Sequence, residues 1–529
     1  MTLSRGLSRR DFLMCVGQAG GYGAAFMTMQ AIGLVPARAA GVLPLAVAPG
    51  TGKGVKVAIL GGGIAGLVAA YEMKALGYDC TLLEARERPG GRNWTVRGGD
   101  KVKFTDGSEQ TCTFDAGNYQ NFGPARLPSV HDHILGYCRK FGVELEVEVN
   151  TSRSSLLQND KANGGKPVVQ RQALNDTRGH VSELLAKCLQ KGALDQEMSG
   201  EDRDRMLSFL RIYGPLDDAN AYVGSDRAGY DVKPGAGQET GVLSKPIDMH
   251  TLLDENFWDG VLFEEAFDWQ ATMFQPVGGM DHIAYAFAKA LGDTVRYNSP
   301  VTEIRKTEKG VRIGYRQGGV EKTLEADYCV CGMPLSIVKK IPNDFSAPYS
   351  KVITECSYAG AYKIAWESRR FWEKDYNIYG GLEFLNSGCS PVWFPSAKLF
   401  SERGVLVSGF NWDEGPEFGA LSLEGKFAES RRSIERLHPG HGKELEKPMF
   451  VGWGRVPYNE GSWIQSYGPG EDAYGVKLGA GYAKLIEPDG PIYFVGDHVS
   501  HILGWQEGAA VSSLRAVQMI SDRVKATRA

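Results

Sequence analysis

Three glycines and one acidic residue near the start of the chain have the types and spacing needed to hold a dinucleotide. Gly61, Gly63 and Gly66 follow a short apolar run and precede a helical pattern, and Glu84 ends the next apolar run. The first glycine permits a tight turn, the second lets backbone approach a pyrophosphate, and the third packs helix on strand. The helix N-terminus points its amides at the phosphates, while a carboxylate about twenty residues on accepts ribose hydroxyls.

A Gly-Gly-Arg turn after Glu84, ending at Gly91 and Arg92, indicates which dinucleotide binds. Here the sequence resembles the flavin amine oxidase superfamily, in which this turn holds the FAD pyrophosphate. The runs 493–498 and 504–510 resemble the family's closing FAD segment, in which an acid (here Asp497) lies over a flavin-side phosphate or the ribitol. The resemblance implies FAD contacts from Gly61, Gly63, Ile64, Ala65, Gly66, Glu84, Ala85, Arg86, Gly91, Arg92, Gly123, Pro124, Ala125, Arg126, Val301 (clasping the adenine through backbone atoms), Gly496, Asp497, Gly504 and Trp505.

A loop arginine is the candidate for binding the substrate. Residues 123–128 read Gly-Pro-Ala-Arg-Leu-Pro and resemble a segment of L-amino-acid oxidases whose arginine pairs with the substrate carboxylate. A guanidinium gives a planar, bidentate grip on a carboxylate. The resemblance therefore assigns the substrate carboxylate to Arg126.

Two further residues are predicted at the reacting centre. Lys363 lies in an apolar strand, where burying an ammonium is costly, and in the family such a lysine holds a water beside the flavin and assists the reaction with oxygen. Trp505 follows Gly504, where the family has an aromatic wall and a backbone carbonyl that receives the substrate amine.

One position departs from the amino-acid oxidase pattern. Residues 392–396 resemble a segment that carries a carboxylate-binding tyrosine, but Phe394 stands there without a hydroxyl. We retain Phe394 as a predicted substrate-binding residue, with Tyr458 or Tyr467 as candidates to replace the missing hydroxyl.

The implied reaction is FAD-dependent oxidative deamination of L-amino acids, by hydride transfer from Cα, to 2-oxo acids, ammonia and hydrogen peroxide. Two alternatives remain: an amine or polyamine oxidase of the same fold, and a non-catalytic flavin-binding redox partner. The side-chain preference is open between aromatic or long aliphatic groups and a basic tail recognised by Asp254, Glu255 or Glu264. A single dinucleotide motif disfavours a nicotinamide site, so oxygen or a quinone would reoxidise the flavin.

Cysteine positions bear on how the cofactor is attached. Monoamine oxidases anchor FAD on a cysteine late in the chain, whereas none follows Cys389 here, so we predict non-covalent FAD. No metal-binding spacing is present, and a homodimer, common in the family, is an expectation from the resemblance alone.

Composition and the N-terminus suggest an exported enzyme. A net charge of −4 without a basic stripe gives no support for nucleic-acid binding. Arg9 and Arg10 match a twin-arginine export signal, followed by a weakly apolar stretch and a small-residue cleavage site near Ala39. We therefore expect a periplasmic or secreted protein that uses the twin-arginine machinery and has no membrane span.

The predicted fold is mixed α/β, in which a Rossmann-like FAD domain is interleaved with a β-sheet substrate domain and a helical insertion. The predicted ranges are 1–39 for the signal peptide, 55–130, 270–350 and 476–525 for the FAD domain, 131–269 for the helical substrate-entry region, and 351–475 for the substrate domain. Within these, we expect helices over 64–77, 130–141, 182–213 and 280–291, a loop over 150–179, strands over 294–297, 301–307, 310–316 and 324–331, and a final helix from about 508.

Overall fold

The computed structural model describes residues 45–253, 255–474 and 479–528. The predicted signal peptide lies outside the described residues, as does Asp254. Within the described ranges, no helix is both long and apolar enough to cross a membrane.

Helices and strands alternate along the chain, as expected for a mixed α/β protein. The helices are α1 Ile64–Ala75, α2 Asp132–Phe141, α3 Gln170–Gln190, α4 Gly200–Tyr213, α5 Met249–Leu252, α6 Glu255–Leu262, α7 His282–Leu291, α8 Leu335–Val338, α9 Ala347–Glu355, α10 Phe371–Lys374, α11 Gly415–Gly419, α12 Leu423–Leu437, α13 Ala480–Leu485 and α14 Gln506–Arg528. The strands are β1 Lys56–Leu60, β2 Asp79–Leu83, β3 Thr95–Arg97, β4 Lys101–Lys103, β5 Glu109–Thr111, β6 Tyr119–Asn121, β7 Leu145–Val149, β8 Leu156–Gln158, β9 Val168–Val169, β10 Tyr230–Val232, β11 Val242–Leu243, β12 Thr272–Pro276, β13 Val295–Arg296, β14 Val301–Thr307, β15 Gly310–Gln317, β16 Val320–Ala326, β17 Tyr328–Cys331, β18 Ser357–Tyr358, β19 Tyr362–Arg369, β20 Gly381–Leu385, β21 Val392–Phe394, β22 Arg403–Asn411, β23 Glu446–Gly452, β24 Ile464–Gly468, β25 Glu471–Asp472 and β26 Ile492–Phe494.

A five-stranded parallel sheet forms the first layer, in the order β13-β2-β1-β17-β26. Strand β1 is buried from its second residue onward, as a central parallel strand covered on both faces requires. Helix α14 packs against α1, where Ser513 Oγ donates to Ala65 O at 2.8 Å. The sheet thus draws its strands from three separate parts of the sequence and brings the two ends of the described chain together.

A second, seven-stranded sheet faces the site from the other side, in the order β23-β19-β22-β21-β20-β8-β9. Its core strand β19 pairs antiparallel with both β22 and β23, and its residues are buried up to Ser368. Trp366, Phe371 and Trp372 fill the core behind it. The sheet therefore gives Lys363, near the start of β19, a rigid and dry support.

The mixed α/β fold is confirmed, while three local predictions were wrong. The predicted loop 150–179 contains β8, β9 and the start of α3, whose first turns are polar; Asp176 there is buried and accepts from the Tyr222 hydroxyl at 2.5 Å. The predicted helix 182–213 is two helices, because Ser199 caps a new one at Gly200. The predicted strand 324–331 is divided at Asp327 between two sheets, and the Asp327 carboxylate accepts from Lys56 N at 2.7 Å.

Candidate active site

A cavity of about 610 Å³ lies between the two sheets and receives residues from both ends of the described chain. Its size is that of a ligand or cofactor site. With one exception, every residue predicted to contact FAD lines this cavity; the exception is Gly66.

The glycine turn before α1 shows two different requirements. A Cβ on Gly66 would lie 2.0 Å from Gly61 O, so this glycine lets helix and strand pack closely. A Cβ on Gly63 would meet no protein atom within 4 Å, because it would project into open space. Gly63 lines the cavity at the N-terminus of α1, where the backbone amides and helix dipole favour a phosphate.

Glu84 is buried at the end of β2 and organises this turn. Its Oε2 accepts from Gly62 N at 2.7 Å, and its Oε1 accepts from Arg86 N at 2.8 Å. A carboxylate oxygen has a second lone pair, so both bonds are compatible with an additional hydroxyl donor from the cavity. Val301, at the start of β14, lines the same end.

An ion pair joins the two ends of the described chain on the cavity wall. Arg92 binds the Asp497 carboxylate through both terminal nitrogens, with NH1 3.2 Å from Oδ2, and the same oxygen accepts from Gly504 N at 3.1 Å. Although burial acts to raise it, the pKa of Asp497 is held below its usual value by Arg92. The pair therefore stays ionised and fixes Gly504 beside the cavity.

The donor set fits a dinucleotide carrying a large ring system. The cradle combines a helix N-terminus, an open glycine, the buried carboxylate of Glu84 and the half-buried Arg92, all on one continuous cavity. Gly123 completes it, because a Cβ there would lie 1.7 Å from Arg92 O and would prevent the two loops from meeting. Sequence reasoning missed Gly332 and Met333, which also line the cavity; their position directly after parallel strand β17 was the available signal.

Arg126 lies in the cavity wall with its guanidinium between two indoles. Its carbon Cζ is 4.3 Å from the ring centroids of both Trp269 and Trp393, and only 6% of the residue is exposed. The NH1 group of Arg126 donates a hydrogen bond to Asn150 Oδ1 at 2.6 Å. Burial lowers the pKa of Arg126 to about 10, so it stays charged at neutral pH. Among the described residues, Arg126 contacts a neutral amide and aromatic rings and no carboxylate, so the chemistry of this desolvated guanidinium suits an anion.

Lys363 extends from β19 towards the loop that carries Arg126. Its Nζ donates to Asn121 O at 2.8 Å and to Gly123 O at 2.7 Å. Burial, followed by the nearby charge of Arg126, lowers its pKa to about 7. The ammonium and neutral amine are therefore both accessible near neutrality, as a group that exchanges protons requires.

Glu148, on β7, is an acidic residue whose charge acts on Arg126 and Lys363, and sequence reasoning missed it. Its Oε1 accepts from Trp393 Nε1 at 3.1 Å, and only 1% of the residue is exposed. Burial raises its pKa to about 7, against the opposing effect of Arg126. Only the pairing of β7 with β12 and the fold of β21 bring it here, so no local motif could have indicated it.

Trp505 and Gly504, which the sequence predicts at the reacting centre, both line the cavity. The Trp505 ring lies edge to face with His131 at 5.0 Å and with Trp269 at 5.5 Å between centroids. Trp269 therefore connects this wall to Arg126. The loop after α6 that carries Trp269 gave no sequence signal of this role.

Phe394 does not line the central cavity, which corrects its predicted place in the substrate site. It is fully buried behind the sheet, stacked on Trp372 at 5.3 Å. Successive side chains of a strand point to opposite faces, so the preceding Trp393 lines the cavity instead.

Neither candidate tyrosine replaces the missing hydroxyl. Tyr467 is buried and donates to His498 O at 2.8 Å, outside the cavity lining. Tyr458 lies at the nucleotide end, with the guanidinium of Arg86 5.7 Å from its ring centroid.

The remaining wall of the cavity is aromatic. Trp412 packs edge to face on Trp463 at 5.4 Å and lies 5.6 Å from Tyr474, while Phe410 lies 5.3 Å from Lys363 Nζ. All four aromatic residues line the cavity. Glu264 does not; it pairs with Arg153 at 3.2 Å, and the side chain of Glu255 is not among those described.

Comparison with known proteins agrees with this geometry. The profile of the flavin containing amine oxidoreductases matches residues 64–521. Among curated proteins, the flavin-dependent L-tryptophan oxidase RebO of Lentzea aerocolonigenes is 24% identical over 88% of this chain and 98% of its own. The L-amino-acid oxidase of Pseudechis australis is 25% identical over 88% and 86% of the two chains.

Solved structures show the same fold at lower identity. Cyclohexylamine oxidase from Brevibacterium oxydans IH-35A has a TM-score of 0.59 at 16% identity, over 89% of this chain and 99% of that one. Putrescine oxidase bound to putrescine has a TM-score of 0.55 at 20% identity, over 88% and 98%. Because the family profile matches most of its length, this chain belongs to the family of flavin containing amine oxidoreductases.

Proposed function

We propose that this protein oxidises L-amino acids to 2-oxo acids with release of ammonia and hydrogen peroxide, using FAD. The observation that carries the proposal is Arg126, a buried guanidinium that lines the cavity without an ion-pair partner among the described residues. The amino-acid oxidases among the relatives support it.

The chain's own residues would bind and orient the substrate. Arg126 holds the carboxylate, its plane fixed by the stacked indoles of Trp269 and Trp393. The Gly504 carbonyl accepts from the amine, and Trp505 closes the wall beside it. With the carboxylate, the amine and the side chain each placed against a different part of the wall, the Cα–H has one orientation, and positioning of this kind can supply much of the acceleration. No protein base is needed if the amine arrives neutral.

FAD would be held by the glycine turn, Glu84, Arg92 and Asp497, and when bound it supplies the acceptor for the Cα hydride and passes the electrons to oxygen or a quinone. Lys363, with two carbonyl acceptors and a pKa near 7, would hold a proton or a water close to where oxygen reacts.

We propose that FAD is attached non-covalently, since none of the described cysteines lines the cavity. Acid precipitation should leave the yellow colour in the supernatant, and a yellow pellet would contradict this.

The side chain of the substrate would lie against Phe410, Trp412, Trp463 and Tyr474. These faces favour a large planar apolar group. The acids that line the cavity are already engaged: Glu84 and Asp497 in the bonds above, and Asp268 with His131 at 3.1 Å. We therefore favour an aromatic amino acid over one with a basic tail.

Matched substrates that differ only in the carboxylate test the proposal. Peroxide release would be measured for phenylalanine and phenethylamine, and for tryptophan and tryptamine, within a panel of all twenty amino acids. Replacing Arg126→Met should lower kcat/KM for the amino acids by about 100-fold or more, as loss of a charge-assisted bidentate contact implies, and leave the amines unaffected. Arg153→Met, at a half-exposed arginine outside the cavity, is the control.

An amine oxidase is the second candidate, and one observation favours it. Glu148 carries negative charge close to Arg126, and no tyrosine hydroxyl of the described chain is bonded to that arginine. If the wild-type protein oxidises phenethylamine faster than phenylalanine, and Arg126→Met affects neither, this second function replaces the first.

We also propose that the protein is exported through the twin-arginine pathway, on the strength of the residues around Arg9 and Arg10. Replacing both with lysine should retain the enzyme in the cytoplasm. Cell fractionation measures this, and unchanged periplasmic or secreted enzyme would contradict the proposal.

A further inference from the structure

The buried carboxyl of Glu148 has no part in the reaction proposed above. It projects from β7 and receives one hydrogen bond, from the indole N–H of Trp393, while its Oε2 is buried without a hydrogen-bond partner among the described residues. A half-satisfied buried carboxyl costs stability, and Glu148 lies in this environment directly behind the cavity-lining Trp393.

Trp393 connects Glu148 to both cations of the site. The Cζ atom of Arg126 lies 4.3 Å from the centroid of the Trp393 ring, and Lys363 Nζ lies 5.2 Å from the same centroid. Holding the indole N–H therefore fixes the wall on which Arg126 rests. The charge of Glu148 also acts on both cations, since it raises the pKa of Arg126 and of Lys363.

The other charged groups around Glu148 are already engaged. On β7 itself, Glu146 accepts from Gln275 of β12 at 3.0 Å. Glu148 does not line the central cavity but a second one of about 60 Å³, together with Tyr119, Arg370 and Lys398. Arg370 is paired with Glu373, and Lys398 donates to Gly117 O. Tyr119 stays neutral because burial raises its pKa to about 12. Near neutral pH, Glu148 and Lys363 are thus the groups that change charge here.

We propose that Glu148 is a positioning residue that holds the Trp393 indole against Arg126 and whose charge sets how strongly the cavity binds a carboxylate. This rests on the proposed function, since it takes Arg126 as the carboxylate site. With Glu148 neutral, Arg126 and Lys363 attract an entering carboxylate without an opposing charge behind Trp393. With Glu148 ionised, a like charge lies behind this wall, where screening by solvent is weak.

Benzoate binding to the FAD-loaded protein tests this without turnover. Benzoate stays ionised between about pH 5.5 and 9, because carboxyl pKa values lie near 4, and its binding is measured by the change in flavin absorbance. In the wild type, the affinity for benzoate should fall as the pH rises through about 7, because Glu148 gains its negative charge and Lys363 loses its positive charge.

Glu148→Gln keeps an oxygen for the Trp393 N–H but carries no charge. Its benzoate affinity should equal that of the wild type at pH 5.5 and exceed it about fivefold or more at pH 8.5, where one negative charge is missing. Glu146→Gln, two residues along the same strand and bonded to Gln275, is the matched control and should follow the wild-type curve.

The outcomes separate this inference from the proposed function. If Arg126→Met abolishes benzoate binding while the Glu148→Gln curve overlays the wild type, the role of Glu148 is overturned and the carboxylate site stands. If Arg126→Met binds benzoate like the wild type, both are overturned.

A second variant covers the case in which Glu148→Gln does not fold. Trp393→Phe keeps a ring beside Arg126 but removes the N–H that favours the ionised carboxylate. The fall in benzoate affinity should then move to higher pH, and an unmoved midpoint would overturn the inference.

Discussion

Arg126 and Lys363 place two buried cations on one cavity wall, and their neighbours make this tolerable. The guanidinium rests between indoles, an arrangement that recovers part of the lost hydration through cation–π attraction. The ammonium has two carbonyl acceptors. Only one of these side chains is poised to lose its proton near neutrality, and that difference separates their expected roles.

Lys363→Met should slow the reaction with oxygen and leave the limiting rate of substrate oxidation, at saturating substrate, nearly intact. The contacts of its ammonium are with two carbonyl oxygens of the loop beside the cavity and with the rings of Trp393 and Phe410. Anaerobically reduced protein mixed with oxygen should reoxidise about 100-fold more slowly, an effect of the size seen when one placed electrostatic group is removed. Lys322→Met, on the exposed face of β16, should change nothing; an equal loss in the reductive step would refute the assignment.

The same substitution should change how stability depends on pH. The folded-state pKa of Lys363, about 7, is below the unfolded value near 10.5. The unfolded chain therefore binds the extra proton between these values, and stability rises with pH across that window. The destabilisation of the folded state by Lys363 is therefore greatest below pH 7 and absent above about pH 10.5. The free energy of unfolding, measured with denaturant, should therefore be higher for Lys363→Met than for the wild type, and this difference should be ~3 kcal/mol larger at pH 7 than at pH 10. A difference that does not depend on pH would refute the buried-lysine account.

At the scale of elements, the strand–turn–helix unit from β1 to α1 has two glycines with separable duties. Gly66 serves protein packing, whereas Gly63 leaves room for a ligand. The seven-stranded sheet likewise has two faces, with Trp393 towards the cavity and Phe394 towards the core.

Gly63→Ala and Gly66→Ala should therefore fail in different ways. Gly63 has an extended backbone that alanine can adopt, so Gly63→Ala should fold with native circular dichroism but bind FAD at least about tenfold more weakly, as a methyl enters the cradle. Gly66→Ala places its methyl 2.0 Å from Gly61 O and should lower soluble yield and the melting temperature of the apoprotein. Flavin content and thermal melts separate the two; equal behaviour would contradict the distinction.

At the scale of the whole molecule, Arg92 and Asp497 join segments 405 residues apart in sequence. Their contact closes the cavity between the first and last parts of the parallel sheet. Removing one charge from a fully buried ion pair costs about 3–5 kcal/mol; the cost here is smaller, because the Arg92 side chain is 29% exposed.

Asp497→Asn should accordingly weaken FAD retention and lower the melting temperature of the loaded protein. The amide is nearly isosteric, but it leaves the Arg92 charge uncompensated and its own NH₂ facing Gly504 N or the guanidinium. FAD titration by fluorescence quenching should show a loss of about tenfold or more. Asp522→Asn, exposed on α14, is the control, and retention of wild-type affinity by Asp497→Asn would refute the role of the pair.

The sequence by itself determined the dinucleotide unit, because a tight turn, a close backbone approach and a helix N-terminus are local demands met by Gly61, Gly63 and Gly66 within six residues. It also indicated Arg126 and Lys363 through local motifs and an out-of-place charge. Only the tertiary structure decided that Trp393 rather than Phe394 faces the cavity, because this depends on which face of β21 is covered. It alone brought Trp269 to Arg126 and Glu148 to Trp393, because those contacts arise from sheet order and loop packing between residues distant in the chain, for which local sequence has no signal.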